Sequence, residues 1–132
     1  MIVVDTNVIA ALLLAGEHAR SAEALRRFDG DWIAPLLWRS EFRNVLSHYV
    51  RRGGLSLEEA QEVMEDAEAL MRNSEYPVAS RAVLDLAARS GCTAYDCEFV
   101  ALAIASKTRL VTLDKQVLDC FPSSAVHLDA AR

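Results

Sequence analysis

The sequence predicts an α/β domain, with a central, mostly parallel sheet covered by helices on both faces. Three observations carry this reading. Short apolar runs rich in β-branched residues alternate with longer segments of helical period. The alternation continues along the chain without an internal repeat or a linker. A length of 132 residues with 52% hydrophobic content suits one domain, spanning 1–132, with a sizeable core.

Ile2-Val3-Val4 reads as a buried strand. Asp5 ends it, and Thr6 is placed to cap a helix through about Ala15. After the loop Gly16-Glu17-His18, apolar residues recur at helical spacing (Ala22, Leu25, Phe28) from Ser21 to Phe28. Asp29-Gly30-Asp31 is a turn. Trp32-Ile33-Ala34 is a second strand, ended by Pro35. Leu37 to Arg52 is a helix with Trp38, Phe42, Val45, Leu46, Tyr49 and Val50 on one broad face, stopped by Gly53-Gly54. Ser56-Leu57-Glu58-Glu59 is a capping box that opens a helix to about Arg72.

Tyr76-Pro77-Val78 reads as a short strand, and Ser80 to Ser90 as a helix stopped by Gly91. Thr93-Ala94-Tyr95-Asp96 is a second capping box, and its helix runs to about Ser106. Leu110-Val111-Thr112 is a strand followed by Asp114, Lys115 to Cys120 a short helix, and Val126-His127-Leu128 a last strand.

Several function classes are excluded. No run of 18 apolar residues exists, so no membrane span is expected. The N-terminus lacks a basic segment before its apolar stretch and does not read as a signal peptide; the expected location is the cytosol. Cys92, Cys97 and Cys120 are odd in number, form no C-x-x-C pair and lie far in sequence from His18, His48 and His127. That pattern speaks against a zinc site or a disulfide framework. A net charge of −5 argues against a nonspecific nucleic-acid coat. The cations are nonetheless twelve Arg and two Lys, and Arg suits bidentate phosphate contacts.

In an open parallel sheet, ligands bind at the carboxyl ends of the strands. Asp5 and Asp114 each follow a strand, so both are expected on one rim. Asp96 starts a helix, and helix N-termini gather at the same rim. Glu41 lies three and four residues from Trp38 and Val45 and shares their inward side. Each carboxylate also has a plain reading. Asp5 accepts bonds from the following helix, Asp96 completes the Thr93 box, Asp114 is an N-cap, and Glu41 pairs with an arginine. Capping requires no shared rim and leaves the inward Glu41 unexplained. Carboxylates sharing a cleft repel one another, and hard divalent cations neutralise them; two Mg²⁺ would balance these four charges. Such a centre suits phosphodiester hydrolysis.

Four stretches carry a family resemblance: VVDTNVIAALLL at Val3–Leu14, RSEFRNVL at Arg39–Leu46, TAYDCEFVALA at Thr93–Ala103 and RLVTLDKQVL at Arg109–Leu118. Together, in this order and spacing, the chain resembles PIN-domain proteins, specifically the VapC toxins of toxin–antitoxin pairs. The resemblance implies a three-layer α/β/α fold with a twisted central sheet, and a Mg²⁺- or Mn²⁺-dependent endoribonuclease. It matches Asp5, Glu41, Asp96 and Asp114 to the family's four acidic metal ligands, Thr6 and Asn7 to the polar pair after the first, and Thr112 to the threonine before the last. It also implies an RNA substrate, a homodimer and a small VapB-type antitoxin. Arg39 and Arg43 flank Glu41 on its helix and are expected to contact RNA phosphate or an acidic partner. Glu98 and Asp119 are reserve ligands; residues two apart on a helix point in different directions, so Glu98 is expected at the surface. His48 is expected on a helix surface.

Two rivals remain on the sequence. A dehalogenase-like phosphatase requires Asp-x-Asp after its first strand, and Asn7 stands where the second Asp belongs. A receiver domain requires an acidic pair and a lysine at a late strand end, where Thr112-Leu113-Asp114 stands instead. The other rival is a PIN-fold module that binds RNA or protein without cutting; against it, all four acidic positions are filled.

Overall fold

The computed structural model describes residues 1–132. Five strands form one sheet: β1 (Ile2–Val4), β2 (Trp32–Pro35), β3 (Glu75–Tyr76), β4 (Leu110–Thr112) and β5 (Ala125–His127). Their order is β3-β2-β1-β4-β5, and every pairing is parallel. The three-residue runs at β1 and β4 are wholly buried, as strands covered on both faces must be.

The chain moves outward from β1 through β2 to β3. Its helices on this leg are α1 (Thr6–Leu13), α2 (Ala19–Phe28), α3 (Trp38–Arg51) and α4 (Leu57–Leu70). It then returns through α5 (Ser80–Ser90) and α6 (Ala94–Ala105) to β4, on the other side of β1. α6 packs on β1, β2 and β4 with α5 beside it, while α1 packs with α2, α3 and α4. This is the three-layer α/β/α arrangement. A short α7 (Lys115–Cys120) leads to β5, and a 3₁₀ turn at Leu128–Ala130 follows it. The reversal of direction between β1 and β4 creates a crevice at their carboxyl ends, the place where open α/β sheets bind ligands.

Local differences from the sequence reading have physical causes. Asp5, not Thr6, caps α1: Asp5 is extended (φ −71°, ψ 158°) and its carboxylate accepts the Thr6 N–H. Helix α1 ends at Leu13 rather than Ala15, and α2 begins at Ala19. The third strand sits at Glu75–Tyr76, because Pro77 has no N–H to extend the ladder. The last strand is Ala125–His127, one residue earlier than expected. The Ser56–Glu59 capping box forms in full, with bonds of 3.0 and 2.9 Å. At Thr93 only half forms: its hydroxyl accepts the Asp96 N–H at 3.1 Å, without a bond from the Thr93 N–H to the Asp96 carboxylate.

No helix is long and apolar enough to cross a membrane.

Candidate active site

Asp5 follows β1 and is 8% exposed. Its Oδ1 accepts the Thr6 N–H at 2.8 Å and its Oδ2 accepts the Thr112 hydroxyl at 2.7 Å. Burial pushes the carboxyl up to about 7. The Thr112 and Thr6 bonds pull it down, and the Glu41 and Asp96 charges push it further up.

Thr112 is the hub on β4. It is fully buried, donates to Asp5, and accepts the Asp114 N–H at 3.0 Å and a long bond of 3.5 Å from Asn7 Nδ2. Asn7 Oδ1 accepts the Leu113 N–H at 3.1 Å. Asn7 and Thr112 thus lock the start of α1 to the end of β4, so the two rim aspartates are held by one polar network.

Glu41 sits in the first turn of α3 and reaches this rim. Its Oε1 accepts the Thr6 hydroxyl at 2.7 Å. Because Asp5 takes the capping position, the Thr6 side chain is free to make this bond. Burial raises the Glu41 carboxyl; the Thr6 bond lowers it, and the Asp96 and Glu98 charges raise it. Asp96 is half-buried in the first turn of α6 and is raised by burial, with Asp114 adding repulsion against the Thr93 hydroxyl's opposing effect. Asp114 does cap α7: Oδ1 accepts the Gln116 N–H at 2.8 Å and the Val117 N–H at 3.4 Å. Its Oδ2 makes no hydrogen bond.

Asp5, Glu41, Asp96 and Asp114 therefore form a chain of like charges, each acting on the next across one rim. None has an ion-pair partner in the protein. Hard oxygen donors with uncompensated charge are the donor set that Mg²⁺ or Mn²⁺ takes. As they stand, no three His, Cys, Asp or Glu side chains are grouped closely enough to hold a metal ion.

The flanking residues part ways. Arg39 turns from the rim: its Nε and Nη2 donate to Glu75 Oε2 and Oε1 at 2.6 and 2.8 Å, and its Nη1 donates to Glu68. Trp38 Nε1 also donates to Glu75, at 2.8 Å. Both Arg39 carboxylate partners lie within the protein, so it is a brace between α3, α4 and β3 rather than a free cation. Arg43 is exposed, without an ion pair, beside the apolar groove between α3 and α4. Asp119 pairs with Lys115 at 3.0 Å on exposed α7. His48 is exposed, as expected.

Glu98 corrects the surface assignment. It is half-buried, raises the Glu41 carboxyl, and is itself raised by burial. It borders a depression lined by Leu36, Tyr76, Val78 and Leu84. The available signal was the sequence of α6, which is apolar nearly all round. Six of its twelve residues are buried, so two positions two residues apart both face protein.

The family model of the PIN domain matches residues 2–120. Ribonuclease VapC3 of Pyrobaculum aerophilum is 33% identical over 126 residues, covering 92% of this chain and 95% of that protein. The crystal structure of PAE2754 from Pyrobaculum aerophilum superposes with a TM-score of 0.76 at 22% identity, covering 97% of this chain and 90% of that one. FitAB bound to the IR36 DNA fragment gives 0.73 at 17% identity, covering 100% of this chain and 98% of that one. The two structural likenesses speak for the fold alone.

Proposed function

The chain belongs to the PIN-domain family, and from that premise we propose that it is a metal-dependent endoribonuclease, the toxin of a toxin–antitoxin pair. The observation that carries this reading is the row of four unpaired, mutually repelling carboxylates at the β1/β4 crevice. The similarity to a protein named Ribonuclease VapC3 supports RNA as the substrate.

Asp5, Glu41, Asp96 and Asp114 would hold Mg²⁺ or Mn²⁺. Such an ion supplies Lewis-acid stabilisation of charge on the phosphate and a lowered pKa for bound water. The chain's own residues prepare the site. Thr112 and the Thr6 N–H favour the ionised form of Asp5, and the Thr6 hydroxyl does the same for Glu41. Asn7 fixes the backbone at Leu113, next to Asp114. Asp114 uses one oxygen to fix α7 and leaves the other without a protein partner. Arg43, unlike Arg39, is free to meet phosphate.

A small antitoxin and a second copy of the chain complete the proposal. Support for a peptide partner is a largely apolar depression of about 290 Å³ that begins at Asn7, walled by Ala10, Leu14, Val45 and Tyr49.

The test is cleavage of structured RNA by purified chain. Mg²⁺ or Mn²⁺ should be required and EDTA should stop the reaction. Attack by water leaves 5′-phosphate and 3′-hydroxyl ends. Cyclic 2′,3′-phosphate ends would mean attack by the RNA's own 2′-hydroxyl and would overturn this mechanism.

A further inference from the structure

Cys92 and Cys120 lie outside the site and have no part in its chemistry. Cys92 stands in the turn between α5 and α6, and Cys120 ends α7. They are 28 residues apart in sequence, yet their sulfurs lie 2.7 Å apart. A disulfide bond is about 2.05 Å, so closure requires a movement of only about 0.6 Å. Both residues are free thiols, as is Cys97, which lies instead 3.9 Å from the Ser90 hydroxyl.

We propose that Cys92 and Cys120 are a redox modification site, which a low-molecular-weight disulfide converts into a cross-link between the entrance of α6 and the end of α7. The sequence pattern spoke against a disulfide framework, and the fold is what brings this pair together.

The two sulfurs have different surroundings. Cys92 is buried, and burial beside Cys120 pushes its thiol up to about 12. Cys120 is half-buried and borders an open depression of about 660 Å³ shared with Arg89, Ser90, Lys115 and Gln116. Access therefore selects Cys120 as the attacking sulfur. Its thiolate attacks one sulfur of the small disulfide RSSR, forming a mixed disulfide and expelling RS⁻, which takes up the Cys120 proton. Cys92 then attacks the Cys120 sulfur, and the second RS⁻ leaves with the Cys92 proton. The balance is RSSR plus two protein thiols giving one protein disulfide plus two RSH.

Placement gives the cross-link a consequence. α6 carries Asp96 in its first turn and α7 is capped by Asp114, which acts on Asp96. A Cys92–Cys120 bond ties together the elements that present these two carboxylates.

Oxidised glutathione is the probe, incubated with the full chain at mild alkaline pH. One thiol should remain of three, with a mass loss of two hydrogens. A combined tryptic and chymotryptic digest, which cuts after Tyr95 and so parts Cys92 from Cys97, should join the Cys92 fragment to the Cys120 fragment. The Tm should rise on the order of 5–10 °C and fall back with dithiothreitol. C97S should behave like the parent, and C120S should show neither cross-link nor shift. Three free thiols, a reaction halted at a glutathione adduct on Cys120, or loss of the cross-link in C97S would each overturn the proposal. The digest of the parent chain decides the point even if a variant folds poorly.

Discussion

The Thr112 hydroxyl donates to Asp5 Oδ2 at 2.7 Å, joining residues 107 positions apart at the ends of two adjacent strands. This bond stabilises a nearly buried carboxylate in its charged form, against burial and two neighbouring charges. Thr112→Val keeps the shape and removes the donor. Asp5 should then titrate above its parent value, and stability above neutral pH should fall by about 1–3 kcal/mol. Thr112→Ser should restore both. Carboxyl NMR of Asp5 and thermal melts check this; an unmoved Asp5 titration would show that the bond carries no charge stabilisation.

The metal-free protein should lose stability as pH rises from about 4 to about 7. The sign follows from Asp5, whose carboxyl lies near 3.8 in the unfolded chain and about 7 in the fold. Between these values the folded state holds the proton and the unfolded state does not. Folding is therefore favoured at the acid end, and that advantage disappears as pH rises through the folded value, at up to about 1.4 kcal/mol per pH unit. Glu41, Asp96 and Glu98 are raised too and act in the same direction. Glu75, lowered by Arg39, acts oppositely, but only in the acid range below the ordinary carboxylate pKa. Asp5→Asn should flatten the profile. A metal-free parent whose stability climbs across this window would contradict the assignment.

Arg39→Ala and Arg43→Ala should separate. Removing Arg39 breaks its bonds to Glu75 and Glu68, and partial exposure of the network limits the loss to about 1–2 kcal/mol. RNA affinity and its salt slope should stay unchanged. Removing Arg43 should leave the Tm in place and weaken RNA binding with a shallower salt slope. Filter binding across a salt series, with melts of both variants, makes the comparison. A shallower slope for Arg39→Ala would return that residue to the RNA surface.

These cases show where the sequence was legible. β1, β2 and β4 were plain, because a buried strand in a parallel sheet is a local run of β-branched residues. The rim position of Asp5 and Asp114 followed from strand ends alone. The acidic partners of Arg39, Glu68 and Glu75, arrive from 29 and 36 residues away through helix packing and β2–β3 pairing. No local spacing encodes that. The sequence offers Thr6 as a cap because a hydroxyl before a helix commonly serves as one. Asp5 does that work here, and the Thr6 hydroxyl goes to Glu41. The Cys92–Cys120 pair depends on the return of α7 to the α5–α6 turn, again a tertiary fact.

Asp114→Asn should separate chemistry from folding. The Asp114 cap uses one oxygen, which Asn retains, so stability should change by only a few tenths of a kcal/mol. The substitution removes a charge that raises Asp96, so the metal-free variant should melt at or above the parent. As a metal ligand, Asn is weaker. The Tm gain from added Mg²⁺ or Mn²⁺ should shrink, and cleavage should fall by more than about tenfold. Normal cleavage with the full metal-induced shift would leave Asp114 as a cap alone.

Glu98→Gln distinguishes a ligand from a neighbour. Glu98 and Glu41 repel one another, and burial raises the Glu98 carboxyl. It also borders the depression beside Tyr76 and Leu84, on the side of β3 and α5. A carboxylate so placed acts through its field on Glu41 rather than by direct contact with an ion. Replacing it with Gln keeps the volume and removes the charge. Glu41 should then ionise at lower pH, and the metal-free protein should gain stability above neutral pH, by well under the about 1.4 kcal/mol that one pKa unit represents. The stabilisation by Mn²⁺ should remain, because Asp5, Glu41, Asp96 and Asp114 are intact. Melts with and without Mn²⁺, across pH, make the measurement. Loss of the Mn²⁺ shift in this variant would make Glu98 a fifth ligand and extend the centre along α6.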